Sequence, residues 1–163
     1  MSVTIWVENA KKVQIDSLLP DISLTLKLLL GLTYSPVLII DSIWNSETAI
    51  KSQADNWIEP NMEKGFSVKI DGEQAIVSVF SYQGVSRFVL SPHPWSAAAL
   101  CAAIAITLAE RSGSGITDLS SIYTMKEYQN PNEFTRLLKV EKSFDDYNKA
   151  VEYFFSRLPA QSG

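Results

Sequence analysis

The chain has 163 residues, 46% hydrophobic and 20% charged, a balance that fits a single globular domain and excludes a disordered one. At this length roughly 70% of the unfolded surface can be buried, so neither disulfides nor a structural metal are needed. A net charge of −4 and a pI near 5.0 argue against nonspecific nucleic-acid binding, which needs a basic surface to displace counterions.

In chain order, "VTIWV" (3–7) reads as a short strand of β-branched and aromatic residues. "IDSLLPDISLTLKLLLGL" reads as a helix ending near Gly31, with Pro20 expected in its first turn. "VLIID" (37–41) is an unbroken apolar run before an Asp, the pattern of a central strand covered on both faces. "SETAIKSQADNWIEP" is predicted to be a helix over 46–58, capped by Ser46, stopped before Pro60, with Ile50, Trp57 and Ile58 inward.

"FSVKIDGEQAIVSVFSYQGVSRFVL" carries two turn signals, Asp71-Gly72 and Gln83-Gly84, between three strand-like runs. Asp-Gly favours a two-residue hairpin because both positions tolerate positive φ. A three-stranded antiparallel meander over 66–90 follows. "HPWSAAALCAAIAITLAERSGSGITD" comes next. Pro94 suits the first helical position, the helix should run to about Ser112, and Gly113 and Gly115 should stop it. "GITDLSSIYT" returns as a strand with a bend. Asn130-Pro131-Asn132-Glu133 combines a cap, an N1 proline and a carboxylate at the start of a further helix. The last helix is predicted to start at Ser143 and end at Pro159, with Phe144, Tyr147, Val151, Phe154 and Leu158 on one stripe and Asp145, Lys149 and Glu152 opposite. The order β-α-β-α-βββ-α-β-α-α predicts an α+β fold: a mixed, largely antiparallel sheet packed against an alanine-rich core helix and further helices, in one domain over 1–163.

No charged residue occurs from Phe88 to Ala109. His93 and two prolines interrupt the front, so only Trp95 to Ala109 is usable, too short for a bilayer that needs about 20 apolar residues. Seven alanines from Ala97 to Ala109 make this helix thin and allow close backbone approach. Apolar around most of its circumference, it is expected to be the central core helix.

Several residues carry chemistry that must be weighed. His93 is the sole histidine, so any Ser-His-acid or Cys-His site must use it. Its place in "SPHPW", between prolines at a strand-to-helix junction, reads more simply as a helix-start residue. Cys101 is the sole cysteine, which forbids an intramolecular disulfide, and its core-helix position predicts an inert thiol. Asp41 and Asp118 each follow a strand-like run, where carboxylates can converge on Mg²⁺, but neither has a second carboxylate nearby in sequence and Asp also caps turns. Asp145-Asp146 suits a helix's first turn, where the macrodipole favours negative charge. No phosphate loop, dinucleotide fingerprint, nucleophile elbow or zinc spacing is present; "SGSG" (112–115) ends a helix instead of opening one. No cofactor and no metal are expected. The N-terminus shows no signal peptide, and the cytoplasm is the expected setting.

A small acidic α+β chain with a strand meander, the helix "AAALCAAIAITLAERSGSGITD" and a strand leading to "SSIYT" resembles bacterial immunity proteins that neutralise polymorphic toxins. The resemblance spans 66–124 and transfers no functional residue. It implies inhibition of one cognate protein toxin through a bound surface, without catalysis; charge and apolar length separately give the expectation of no nucleic acid and no membrane. Glu47, Asp55 and Glu59, with Trp57, are the expected partner contacts, complementary to a basic toxin. Two alternatives stay open. One is a small enzyme or ligand-binding domain with a pocket formed by Arg87, His93, Asp118 and Tyr123 near the meander and the start of the alanine-rich helix. The other is a subunit that pairs with itself; the sequence leaves the oligomeric state open.

Overall fold

A computed structural model of the protein describes residues 4–45, 57–58, 60, 63–82, 86–93, 97–119, 123 and 127–158. The strands are β1 (Ile5–Glu8), β2 (Val13–Gln14), β3 (Leu38–Asn45), β4 (Trp57–Ile58), β5 (Lys64–Ile70), β6 (Ile76–Ser81), β7 (Arg87–His93), β8 (Ile116–Asp118) and β9 (Glu127–Tyr128). The helices are α1 (Ile15–Leu30), α2 (Ala98–Ser112), α3 (Pro131–Leu138) and α4 (Tyr147–Ser156). A seven-stranded sheet in the order β3-β5-β6-β7-β1-β8-β9 is antiparallel throughout, and β2 pairs with β4 in a second, two-stranded sheet. The fold is α+β, as expected.

The predicted meander is β5-β6-β7. Its first turn differs from the two-residue hairpin expected. Ile70 N–H donates to Ala75 O and Glu73 N–H to Ile70 O, so the loop is four residues long. Gly72 alone adopts positive φ (82°); Asp71 does not. The Gln83-Gly84 turn lies outside the described residues. Strand alternation sorts the side chains: Ile5, Val7, Phe66, Val68, Val77, Val79, Phe88 and Leu90 face the helices and are fully buried. Trp6, Glu8, Ile76, Ser78, Phe80, Val89 and Ser91 face the other way and are half-buried.

Two strand assignments differ from expectation. Among the described residues the "VLIID" strand is an edge strand, not a central one: β3 pairs there with β5 alone, and Val37 and Ile39 are exposed. An unbroken apolar run marks a strand but does not place it within a sheet. A bulge between Ile40 and Ser42 interrupts its register, as edge strands commonly show. Trp57 and Ile58, predicted to end a helix, instead pair as β4 with Gln14 and Val13. Both have high β propensity, and tertiary pairing overrides the helical spacing. The remainder of that predicted helix, 46–56, lies outside the described residues.

α1 and α2 lie side by side against the sheet, α3 packs on α2 and β9, and α4 packs on α1. Pro20 is the sixth residue of α1, past the first turn, and solvent-exposed. α2 is buried from Ala98 through Ala109, as the alanine-rich run predicts. Gly31 and Gly113 close α1 and α2 in the left-handed conformation, each through paired bonds. Gly31 N–H reaches Leu28 O and Leu32 N–H reaches Lys27 O; Gly113 and Ser114 reach Glu110 O and Ala109 O. Gly115, expected as a second stop, serves a close approach: a Cβ there would lie 2.5 Å from Tyr128 O.

Asn130 caps α3 as predicted, its side chain accepting from Asn132 N–H at 2.9 Å. α4 starts at Tyr147, not Ser143. Asp146 caps it by accepting from Asn148 and Lys149 N–H. The residues before it are extended because α1's end uses their backbone: Phe144 N–H donates to Gly31 O at 2.7 Å and Thr33 N–H to Phe144 O at 2.9 Å. No described helix is long and apolar enough to cross a membrane.

Candidate functional site

The four pocket candidates divide between two faces of the sheet. Arg87 and His93 begin and end β7, and alternation places both on the face away from the helices. Six residues apart along a strand, they are separated by about 20 Å. Asp118 is opposite Ile5, which is opposite Leu90, so it faces the helices and is buried. Tyr123 is fully buried, donates its hydroxyl to Ala98 O, and packs edge-on against Phe134 with ring centroids 5.5 Å apart. The structure therefore groups Asp118 and Tyr123 with Cys101 of α2, and leaves Arg87 and His93 outside.

That inner group is chemically quiet. Burial, followed by the Asp118 charge, pushes the Cys101 thiol far above its ordinary range. A protonated, fully buried thiol is neither a nucleophile nor a metal ligand. Burial also raises the Tyr123 phenol, with Cys101 and Asp118 adding to the shift. Asp41 is separated from Asp118 by four intervening strands, exposed beside the β3 bulge, with Lys69 Nζ at 3.8 Å. The two carboxylates considered for Mg²⁺ do not meet. Among the described residues no group of three His, Cys, Asp or Glu side chains could hold a metal.

Of the expected partner contacts, Glu47, Asp55 and Glu59 lie outside the described residues, while Trp57 is described and 45% exposed. Its backbone is fastened from beneath. Lys64 starts β5 on the helix-facing side, buried with its neighbours, and sends its ammonium to Trp57 O at 2.7 Å. Lys64 N–H donates to Ser81 Oγ, and Ser81 Oγ–H returns a bond to Lys64 O. A buried ammonium is tolerated only when hydrogen-bonded, so β4's carbonyl and Lys64 fix one another. Lys12 Nζ stands 5.0 Å from the centroid of the Trp57 ring. The result is a large aromatic side chain presented to solvent on a pinned backbone.

Sequence reasoning missed the arrangement on the outer face of the sheet. Arg87 lies over the Trp6 ring, 3.8 Å from its centroid, while its Nε donates to Glu8 Oε2 at 3.3 Å. Ser42, Ser67, Ser78 and Ser91 stand opposite one another across four adjacent strands, with hydroxyl spacings of 3.3 and 3.4 Å across the first two gaps. The serines inside the hairpins were readable from alternation. The Trp6–Arg87 contact was not, because β1 pairs with a strand about 80 residues later in the chain. Comparison with protein-family models, with curated proteins and with solved structures finds no match to this chain.

Proposed function

We propose that this chain is a non-catalytic binding protein that neutralises a cognate basic protein toxin by covering it, with the surface around Trp57 as the contact. The observation that carries this reading is the half-exposed Trp57 ring on a backbone held by Lys64 and β2. Tryptophan is enriched among interface anchors, and an anchor ordered before binding loses less entropy on binding. Charge in the sequence flanking Trp57 supports the same reading. Between Ser46 and Glu63 the chain carries Glu47, Asp55, Glu59 and Glu63 against Lys51 alone, four negative charges to one positive. That local excess suits electrostatic steering of a basic partner. The toxin-immunity resemblance and a cytoplasmic setting belong to this proposal.

The test uses the product of the reading frame adjoining this gene. Its toxicity on expression should be relieved by co-expression of this chain, and the purified pair should bind in a titration. Trp57→Ala should weaken that binding about a hundredfold, a loss within the range of interface anchors, with the thermal midpoint nearly unchanged. Replacing Glu47, Asp55 and Glu59 together by their amides should slow association and flatten its salt dependence. Full affinity in both variants would remove this surface from the account.

A further inference from the structure

We propose that the outward ridge of α1 docks one amphipathic helix of a partner protein, which lays its apolar stripe on Leu24 and Leu28 and its carboxylates on Lys27, Lys139 and Lys142. The inference rests on observations independent of Trp57. α1 buries Ile22, Leu26 and Leu29 and turns Leu24 and Leu28 outward, one turn apart, 57% and 44% exposed. Leu137, near the end of α3, is 54% exposed. Beside the ridge lies a cleft of about 460 Å³ between the end of α1 and the α3–α4 connection, lined by Leu24, Leu28 and Leu32 and by Lys27, Lys139 and Lys142, with Glu141 its one acid. A second cleft of about 340 Å³, between α1 and α2, meets the first at Leu24 and carries Asp21, Glu110 and Arg111.

Shape and charge together select the occupant. From Asp21 to Gly31 the two clefts follow about 15 Å of α1, the length of a three-turn helix. An exposed i, i+4 pair beside a groove is the geometry into which another helix packs its own ridge. The cleft walls are already in place. Val140 N–H donates to Leu29 O at 3.1 Å, and the Gly31–Phe144 bonds hold the connection against α1. One end of the path is lined by three lysines and one acid in a protein of net charge −4, with Lys142 Nζ standing 4.8 Å from the Tyr153 ring centroid. The other end carries Asp21 and Glu110, with Arg111 bound to Asp21 at 2.7 Å. A helix with carboxylates at one end complements that gradient. An anionic membrane surface does not, because it would meet Asp21, Glu110 and Glu141 as well as the lysines.

The experiment uses a fluorescent three-turn synthetic helix with leucines at i, i+3, i+4 and i+7 and glutamates clustered at one end, and a twin with lysines replacing the glutamates. Fluorescence anisotropy with the full chain should show saturable binding of the acidic helix and at least tenfold weaker binding of its twin, tenfold being the 1.4 kcal/mol step of affinity. Leu28→Ser, and separately the triple change Lys27→Gln, Lys139→Gln, Lys142→Gln, should each weaken the acidic helix about tenfold, with circular dichroism unchanged. Trp57→Ala should leave this affinity intact, so failure of the toxin reading and failure of this one are distinguishable. Equal binding of both helices, or no saturable binding of the acidic one, overturns the proposal. So does co-sedimentation with phosphatidylserine vesicles that the triple variant abolishes, which would assign the ridge to a membrane surface.

Discussion

The helices α1 and α2 have 16 and 15 residues and end alike, with Gly31 and Gly113 both at φ 64° and both donating into the same pattern of cap bonds. Their surroundings are opposite. α2 is enclosed on every side from Ala98 to Ala109, while α1 buries one face and leaves Leu24 and Leu28 in solvent. A Cβ on Gly113 would meet open space, but one on Gly31 would run into Lys142 O and come within 2.9 Å of the Val140 side chain. The cap is thus a local device repeated twice, and the neighbours decide how much each copy matters.

The largest effect should separate the two glycines. Gly113→Ala should cost about 1–2 kcal/mol, the penalty of a left-handed alanine. Gly31→Ala carries that strain and also pushes apart the α3–α4 connection, so urea unfolding should show a loss above about 3 kcal/mol, in the exceptional range. Equal losses would break the comparison.

Next come the helix bodies. Ala102→Leu adds volume where α2 has none to spare and should destabilise by about 1–3 kcal/mol. Leu24→Ala on α1 should change stability by less than about 0.5 kcal/mol, as exposed positions do. Thermal melts of the two variants check both values.

A buried phenol stands on each helix's side of the molecule, and the pair sharpens the contrast further. Tyr123 donates to Ala98 O of α2, whereas the Tyr147 hydroxyl, at the start of the helix packed on α1, has no hydrogen-bond partner among the described residues. Tyr123→Phe should cost about 1 kcal/mol, while Tyr147→Phe should be neutral or stabilising by up to about 1 kcal/mol, because it removes an unsatisfied group. Both phenols titrate above their ordinary value, in each case chiefly through burial. As pH rises past about 10 the unfolded chain releases these protons while the folded chain keeps them. The unfolded state then binds fewer protons, so stability falls with rising pH. Guanidinium titrations above that pH should show the decline, and Tyr147→Phe should make it shallower.

The smallest signal is kinetic. Iodoacetamide should leave Cys101 unmodified in the folded protein and label it only at the rate of global opening, because the thiol is buried and protonated. Labelling at the rate of a free thiol would show that α2 is not enclosed.

Much of this was legible in the residues. Asp71-Gly72 and the alternating runs around it announced the meander, and the charge-free alanine segment announced a buried helix. Asn130-Pro131 announced the start of α3. Each signal acts over a few residues, through φ preference, capping or hydrophobic period. The failures came where a distant segment competed. Ser143 and Phe144 had the periodicity to begin α4, but the segment after α1 took the backbone bonds of Phe144. Trp57 and Ile58 fitted a helical face but paired with β2. At the proposed contact, Trp57 was recognisable by residue type, yet nothing local marked Lys64 as the group that fastens its backbone.

By itself the sequence determined where the chain turns, which segments are apolar enough to be buried and which glycines end helices, because those preferences belong to individual residues and their immediate neighbours. Only the tertiary structure decided that β1 enters between β7 and β8, that β3 lies at the edge, that Asp118 and His93 occupy opposite faces, and that Gly31 tolerates no side chain. Those outcomes depend on pairings between segments far apart in the chain, chosen by the total area buried and the backbone bonds satisfied.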